Sequence, residues 1–446
     1  MRHSWLSSER PLARAIARPL RLFLATEAAG GIVLLAAALV ALVWANSPWS
    51  AGYETLWETE AGFSLGSWHL SMDLHHWIND GFMTLFFFVV GLEIKRELVV
   101  GELNDVRKAA LPALAAVGGM VVPAALYLVF NLGGETQGWG IPMATDIAFA
   151  VGVLAVLGSR VPSGLKLFVL TLAIVDDIGA ILVIAMFYSS GLNFAWLLAA
   201  TAALVLIAVL NRVNVLWVPV YAVLGALVWF MTLESGVHAT IAGVALGLLT
   251  PARPHDPDGF ADVTEGASLL PSEPDAQSVH ALTLQAKEVV SPADRLTHLL
   301  HPWTSFVIIP LFALANAGVN LSGGELLSAL TSRVTIGIAV GLVVGKVLGI
   351  VGVSWLALRS GVGALPSGMT SWSLVGGAAA AGIGFTVALF IATLAFTDAD
   401  ALAQAKVGVL LGSLVSAVLA VLVLRADGAK PSSSHLAVPP GARPPR

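Results

Sequence analysis

The sequence contains no cysteine, which excludes disulfides, thiol catalysis and cysteine-ligated metals. It is also poor in charge. Asp, Glu, Lys and Arg make up 11% of the 446 residues, against ~25% in ordinary soluble domains. Hydrophobic residues make up 57%, and the mean hydropathy is +0.85. These values describe a polytopic membrane protein. A formal net charge of −5 offers no basic excess for nucleic acid, which is excluded as a partner.

Apolar runs of a length that spans ~30 Å of hydrocarbon lie near 22–45, 74–94, 109–131, 141–157, 167–188, 194–210, 215–233, 302–320, 334–358, 372–396 and 403–424, and a shorter run at 238–250 completes twelve. The run after Arg2, Arg10, Arg14, Arg18 and Arg21 is too long for a signal-peptide core and reads as a retained first helix. With both termini inside, every Lys and Arg except Arg333, Lys406 and Lys346 falls on the cytoplasmic side, so the positive-inside bias is strong. Dropping the short run would break that pattern.

The expected organisation follows from these runs. Residues 1–21 form a cytoplasmic basic tail. Residues 22–250 hold segments 1–8, with an external, Trp-rich stretch at 46–73 that lacks Lys and Arg and alternates as a hairpin over 63–71. Residues 251–301 are rich in Pro, Asp, Glu and Ser, and read as a largely disordered cytoplasmic loop with a short helix near 279–289. Segments 9–12 occupy 302–424, and 425–446 is a disordered cytoplasmic tail.

Within segment 5 stand two adjacent carboxylates, Asp176 and Asp177, at mid-membrane depth. A charge there costs at least ~2.5–3.5 kcal/mol, so each needs a partner, a proton or a cation. Successive helix positions differ by about 100°, so the two cannot point the same way. Held this close at low dielectric they titrate as a coupled system, which brings proton binding within reach of physiological pH. Hard cations prefer the same oxygen ligands. A site that takes either a cation or protons exchanges one for the other.

Lys346 is the lone Lys or Arg deep inside a span, and its expected partner is Asp176 or Asp177. Thr145 and Asp146 follow Pro142, and segment 11 carries Gly376, Gly377, Gly382, Gly384 and Thr386. Such residues mark either close helix packing or two broken helices in the middle of inverted repeats, segments 3–5 and 10–12. Glu93, Arg96 and Glu97 form a charged helix end. His238 opens the short segment 8 as a pH-sensitive or a structural group. Asp80 reads as an external polar residue, and Glu27 stays unassigned.

Taken together, Gly91-Leu92-Glu93-Ile94-Lys95-Arg96-Glu97-Leu98, Ala144-Thr145-Asp146-Ile147-Ala148-Phe149-Ala150, Leu157-Gly158-Ser159-Arg160-Val161-Pro162, Ala173-Ile174-Val175-Asp176-Asp177-Ile178-Gly179-Ala180, Gly236-Val237-His238-Ala239-Thr240, Leu311-Phe312-Ala313-Leu314-Ala315-Asn316-Ala317-Gly318, Gly345-Lys346 and Gly382-Ile383-Gly384-Phe385-Thr386 resemble the NhaA-type sodium/proton antiporters. The match runs in order from about 20 to 425. Inverted repeats are described for this family itself, so they are not independent support for the resemblance.

The resemblance implies an all-α membrane fold of about twelve helices with two broken helices crossing at mid-membrane. It implies a secondary transporter rather than an enzyme, needing no cofactor beyond the Na+ or Li+ and H+ it moves. Asp176 and Asp177 would bind Na+ and protons, Asp177 more directly, with the lysine pairing the first Asp in one state. Thr145 would line the crossing, and Asp146 and Lys346 would compensate the helix-end dipoles. Glu93, Arg96, Glu97 and His238 fall on positions tied to activation at alkaline pH. The exchange would be electrogenic. The protein would sit in the bacterial cytoplasmic (inner) membrane, as a homodimer touching partly through the 46–73 hairpin.

Two departures stand out. Thr297 replaces the family's glutamate before His301-Pro302-Trp303, which bears on the pH profile, and the 251–298 loop is longer than usual. Two other classes are weighed against this reading. Intramembrane aspartyl proteases draw their pair from two helices, and no Gly-x-Gly-Asp run occurs here. A symporter or channel is the nearer alternative, since buried carboxylates alone do not fix the direction of coupling.

Overall fold

The computed structural model describes residues 29–65, 68–189, 191–213, 215, 218–254, 256, 259–268, 275–320 and 325–427. The basic N-terminal tail, Glu27 and the tail beyond Asp427 lie outside them. Among the described residues regular structure is helical apart from one two-stranded hairpin, which makes this an all-α polytopic fold. Among the described residues, eight helices are long and apolar enough to cross a bilayer: Leu74–Val99, Val106–Phe130, Thr136–Leu157, Ser163–Phe187, Phe194–Arg212, Pro292–Asn316, Arg333–Arg359 and Ala399–Asp427. The count rises to 10 if each bent pair is one span. Ser371–Ala381 and Phe385–Ala395 meet at 44°, and Ala29–Ala45 and Ser50–Trp57 at 116°.

Two further apolar helices are short, Pro219–Glu234 and Thr240–Leu249. The latter covers ~15 Å, about half the hydrocarbon thickness. It is held by close backbone contact with Leu74–Val99: a Cβ on Gly247 would run into the Phe88 carbonyl and the Gly91 backbone. Each of the twelve expected segments therefore contains a helix, while length alone supports eight to ten crossings.

The alternating stretch near 63–71 is an antiparallel hairpin, Glu60–Leu65 with Trp68–Asp73, in which Phe63 faces Leu70. Two strands are marginal alone. This pair is tied to the next helix by Trp77 Nε1, which donates to the Ala61 carbonyl at 2.7 Å.

The described residues of 251–301 include the short helix expected near 279–289 and more helix than the expected loop. They carry helices at Phe260–Ser268, Ala276–Val289 and Pro292–Trp303, the last continuous with the span ending at Asn316. That span therefore begins ten residues before the expected 302. Capping explains the difference. Asp275 accepts from the Ser278 N–H at 2.8 Å, and Ser291 accepts from the Asp294 N–H at 3.1 Å with Pro292 at the first helical position. Composition pointed the other way because these caps are single residues in an otherwise polar stretch. At the other end, the last helix runs on to Asp427 and so includes the start of the expected tail.

Candidate functional site

Two broken spans cross within the hydrophobic core, which includes Ile141, Ala144, Ile383 and Phe385. In the first, 3₁₀ turns over Thr136–Met143 give way to extended backbone, and an α-helix resumes over Ile147–Leu157. Pro142 has no N–H to continue the helix, and Asp146 caps the second half by accepting from Phe149 N–H at 3.0 Å. In the second, Ser371–Ala381 stops at Gly382, and Phe385–Ala395 follows.

Each break satisfies the other. The Asp146 N–H donates to the Ile383 carbonyl at 2.6 Å, and Thr145 Oγ1 donates to the Ala381 carbonyl at 2.7 Å. Asp146 Oδ2 accepts from the Thr386 N–H at 3.0 Å and from Thr386 Oγ1 at 2.6 Å. One carboxylate thus stands at two helix N-termini, where the dipole favours negative charge. The crossing is close: a Cβ on Gly384 would lie 2.9 Å from the Ala144 carbonyl oxygen.

Beside this crossing runs the Ser163–Phe187 helix with the aspartate pair. Lys346 Nζ lies 2.6 Å from Asp176 Oδ2, and both side chains are fully buried. The ammonium also donates to Thr145 Oγ1 at 3.0 Å and to the Met143 carbonyl. Its three protons therefore have three oxygen acceptors. Lys346 follows a π-helical turn over Gly341–Gly345, a distortion common at functional sites.

Asp177 is different. It is 5% exposed, and among the described residues its carboxylate has no hydrogen-bond or ion-pair partner, with Oδ1 fully buried. Asp176 Oδ1 is likewise unpartnered. Free, buried carboxylate oxygens beside a satisfied ion pair are suited to a proton or a hard cation.

The other sequence candidates divide into two places. Arg96 Nε pairs with Asp294 Oδ1 at 3.2 Å, Glu97 Oε2 accepts from the Glu102 N–H at 3.0 Å, and Glu93 stands half-buried on the preceding turn. His238 does not join them. Its Nε2 lies 2.7 Å from the Tyr188 carbonyl, near Asp80 and so about 20 Å along the Leu74–Val99 helix from Glu93. Asp80 is drawn in by its backbone, whose carbonyl accepts from Thr84 Oγ1 at 2.5 Å and Trp229 Nε1 at 2.8 Å.

Three contributors carried little or no sequence signal. The Met143 carbonyl is freed by the helix break. Asp294 lies in the stretch expected to be disordered. Tyr188, one of only four tyrosines, gives itself away only as a polar ring at the end of an apolar run.

The chain matches the model of the Na+/H+ antiporter 1 family over residues 21–424. It is 48% identical over 414 residues to Na(+)/H(+) antiporter NhaA 3 of Frankia alni, covering 93% of this chain and 89% of that one. With Na(+)/H(+) antiporter NhaA of an Anaeromyxobacter species it shares 49% identity over 424 residues, 93% of each chain. Among solved structures, the sodium proton antiporter MjNhaP1 from Methanocaldococcus jannaschii at pH 8 aligns over 94% of this chain and all of its own, at 14% identity and a TM-score of 0.46. Family match and near-relatives agree over almost the whole length: the chain belongs to the NhaA-type Na+/H+ antiporters, which are secondary transporters and not enzymes.

Proposed function

We propose that the protein exports sodium in exchange for protons by alternating access, with Na+ and H+ competing for the Asp176–Asp177 pair. The observation that carries this reading is the contrast between neighbours: Asp176 is ion-paired with Lys346, while Asp177 is buried without a partner. A lone carboxylate at membrane depth is tolerable as the protonated or the cation-bound form. Asp177 is then the exchange ligand, and Asp176 the residue that Lys346 holds when no cation is bound. The transported ions are the substrates, and no cofactor enters.

Asp146 and Lys346 serve the crossing. Asp146 offers its carboxylate to two helix N-termini, and Lys346 offers its ammonium to the carbonyl end of the Thr136–Met143 half-span, each charge opposing the dipole it meets. Thr145 links Lys346 to the second broken span. Twelve crossings with inverted repeats over segments 3–5 and 10–12, both termini in the cytoplasm of a bacterial inner membrane, and a homodimer formed partly through the Glu60–Asp73 hairpin complete the reading.

Glu93, Arg96 and Glu97 regulate the exchanger from one end, and His238 from the other. Thr297 does not leave Arg96 without a carboxylate, because Asp294, three residues earlier and on the same helical face, takes that place. The exchange is electrogenic and accepts Li+.

Proteoliposomes with an internal pH dye test this reading. An inward sodium or lithium gradient is expected to drive protons out and to respond to membrane potential. Proton movement in the same direction as sodium indicates a symporter, and sodium flux without proton movement a channel.

A further inference from the structure

Tyr188 closes the aspartate helix and touches two other parts of the chain. Its N–H donates to the Ile184 carbonyl at 3.1 Å as the last helical bond. Its main-chain carbonyl lies 2.7 Å from His238 Nε2. The phenol donates to the Gln137 carbonyl at 2.7 Å and accepts from the Gly140 N–H at 3.2 Å. One residue therefore joins the aspartate helix, the turn before Thr240–Leu249, and the first half of the first broken span.

That half-span needs outside support. Its 3₁₀ turns make poorer hydrogen bonds than an α-helix, and Pro142 contributes no N–H. Three residues beyond Gly140 is Met143, whose carbonyl accepts from Lys346, and two residues further is Thr145, whose hydroxyl does the same. The fit at Gly140 is close, since a Cβ there would stand 2.8 Å from the Tyr188 hydroxyl.

We propose that Tyr188 is a positioning residue for cation exchange. Its phenol fixes the Thr136–Met143 half-span so that two of the three acceptors of Lys346 stay in place, while His238 anchors the Tyr188 main chain. The inference rests on Asp176 and Asp177 being the exchange site. Tyr188 contacts neither aspartate's carboxylate nor the lysine, and acts through the half-span alone. The bonds it supports exist while Lys346 is paired with Asp176. Loosening them weakens the lysine-paired state relative to the cation-loaded one, so sodium competes better.

The test is Tyr188→Phe in proteoliposomes, assayed at one alkaline pH. The expected result is a fall in the apparent KM for sodium of roughly three- to tenfold, the range for losing one or two neutral hydrogen bonds, with normal amounts of folded protein. General structural damage lowers the maximal rate or raises KM instead. An unchanged or raised KM in folded Tyr188→Phe overturns the inference. Should that variant not accumulate, His238→Ala and His238→Gln decide the matter. Alanine is expected to lower KM and glutamine, which keeps an N–H donor, to restore it; equal KM values in both and in wild type overturn the inference. When both residues are changed, the effect is expected to be less than additive, as for groups acting through one element. If wild type itself shows no sodium-driven proton movement, the exchange reading fails rather than the role of Tyr188.

Discussion

Lys346 Nζ lies 2.6 Å from Asp176 Oδ2, with both side chains sealed from solvent and Thr145 and Met143 supplying the remaining acceptors. Removing one member of such a pair leaves the other charge buried and unpaired, at a cost of ~3–5 kcal/mol. Asp176→Asn and Lys346→Gln are each expected to lower the thermal unfolding midpoint in detergent. The double variant Asp176→Asn/Lys346→Gln is expected to be more stable than either. A double variant as unstable as the sum of its parts would show that the two groups are not coupled.

The crossing of the broken spans leads to a second expectation. Gly384→Ala places a Cβ against the Ala144 carbonyl and Leu342, so the two spans must separate. Gly352→Ala enters open space on the lysine helix and is expected to be neutral or stabilising by ~0.5–1 kcal/mol, the usual gain of Ala over Gly in a helix. Folded yield by fluorescence-detected gel filtration distinguishes them, and equal yields would contradict the close crossing.

Competition fixes the sign of the pH dependence. A proton on Asp177 excludes sodium, and proton occupancy rises as pH falls, so the apparent KM for sodium rises on acidification. For one competing proton the slope approaches about tenfold per pH unit. Initial rates at saturating sodium are expected to vary much less. A KM independent of pH would mean that sodium and protons use separate sites.

Much of this site is legible in the residues alone. An ammonium deep in a membrane requires an anion, and Asp176 and Asp177 are carboxylates at the same depth; residue chemistry leaves the choice between them open, while the geometry selects Asp176. Pro142 and the Gly382–Gly384 region are open in the sequence to close packing or to interruption, and the structure shows two interruptions. What does not show is that the interruptions complete one another, since Asp146 and Thr386 are 240 positions apart and leave no local pattern. Glu93 and His238 form one regulatory set only through the family resemblance, and they lie at separate levels of the Leu74–Val99 helix because Thr240–Leu249 runs alongside Thr84–Gly91 in the same direction, with His238 just before its start. In 251–301 the overall polarity hid the caps at Asp275 and Ser291, and with them the partner of Arg96.

The most direct test of cation–proton competition at Asp177 uses everted membrane vesicles with a preformed pH gradient. Sodium is expected to collapse that gradient in wild type and to leave it standing in Asp177→Asn, while the variant protein is present in normal amount. Collapse by Asp177→Asn at the wild-type rate would contradict the account.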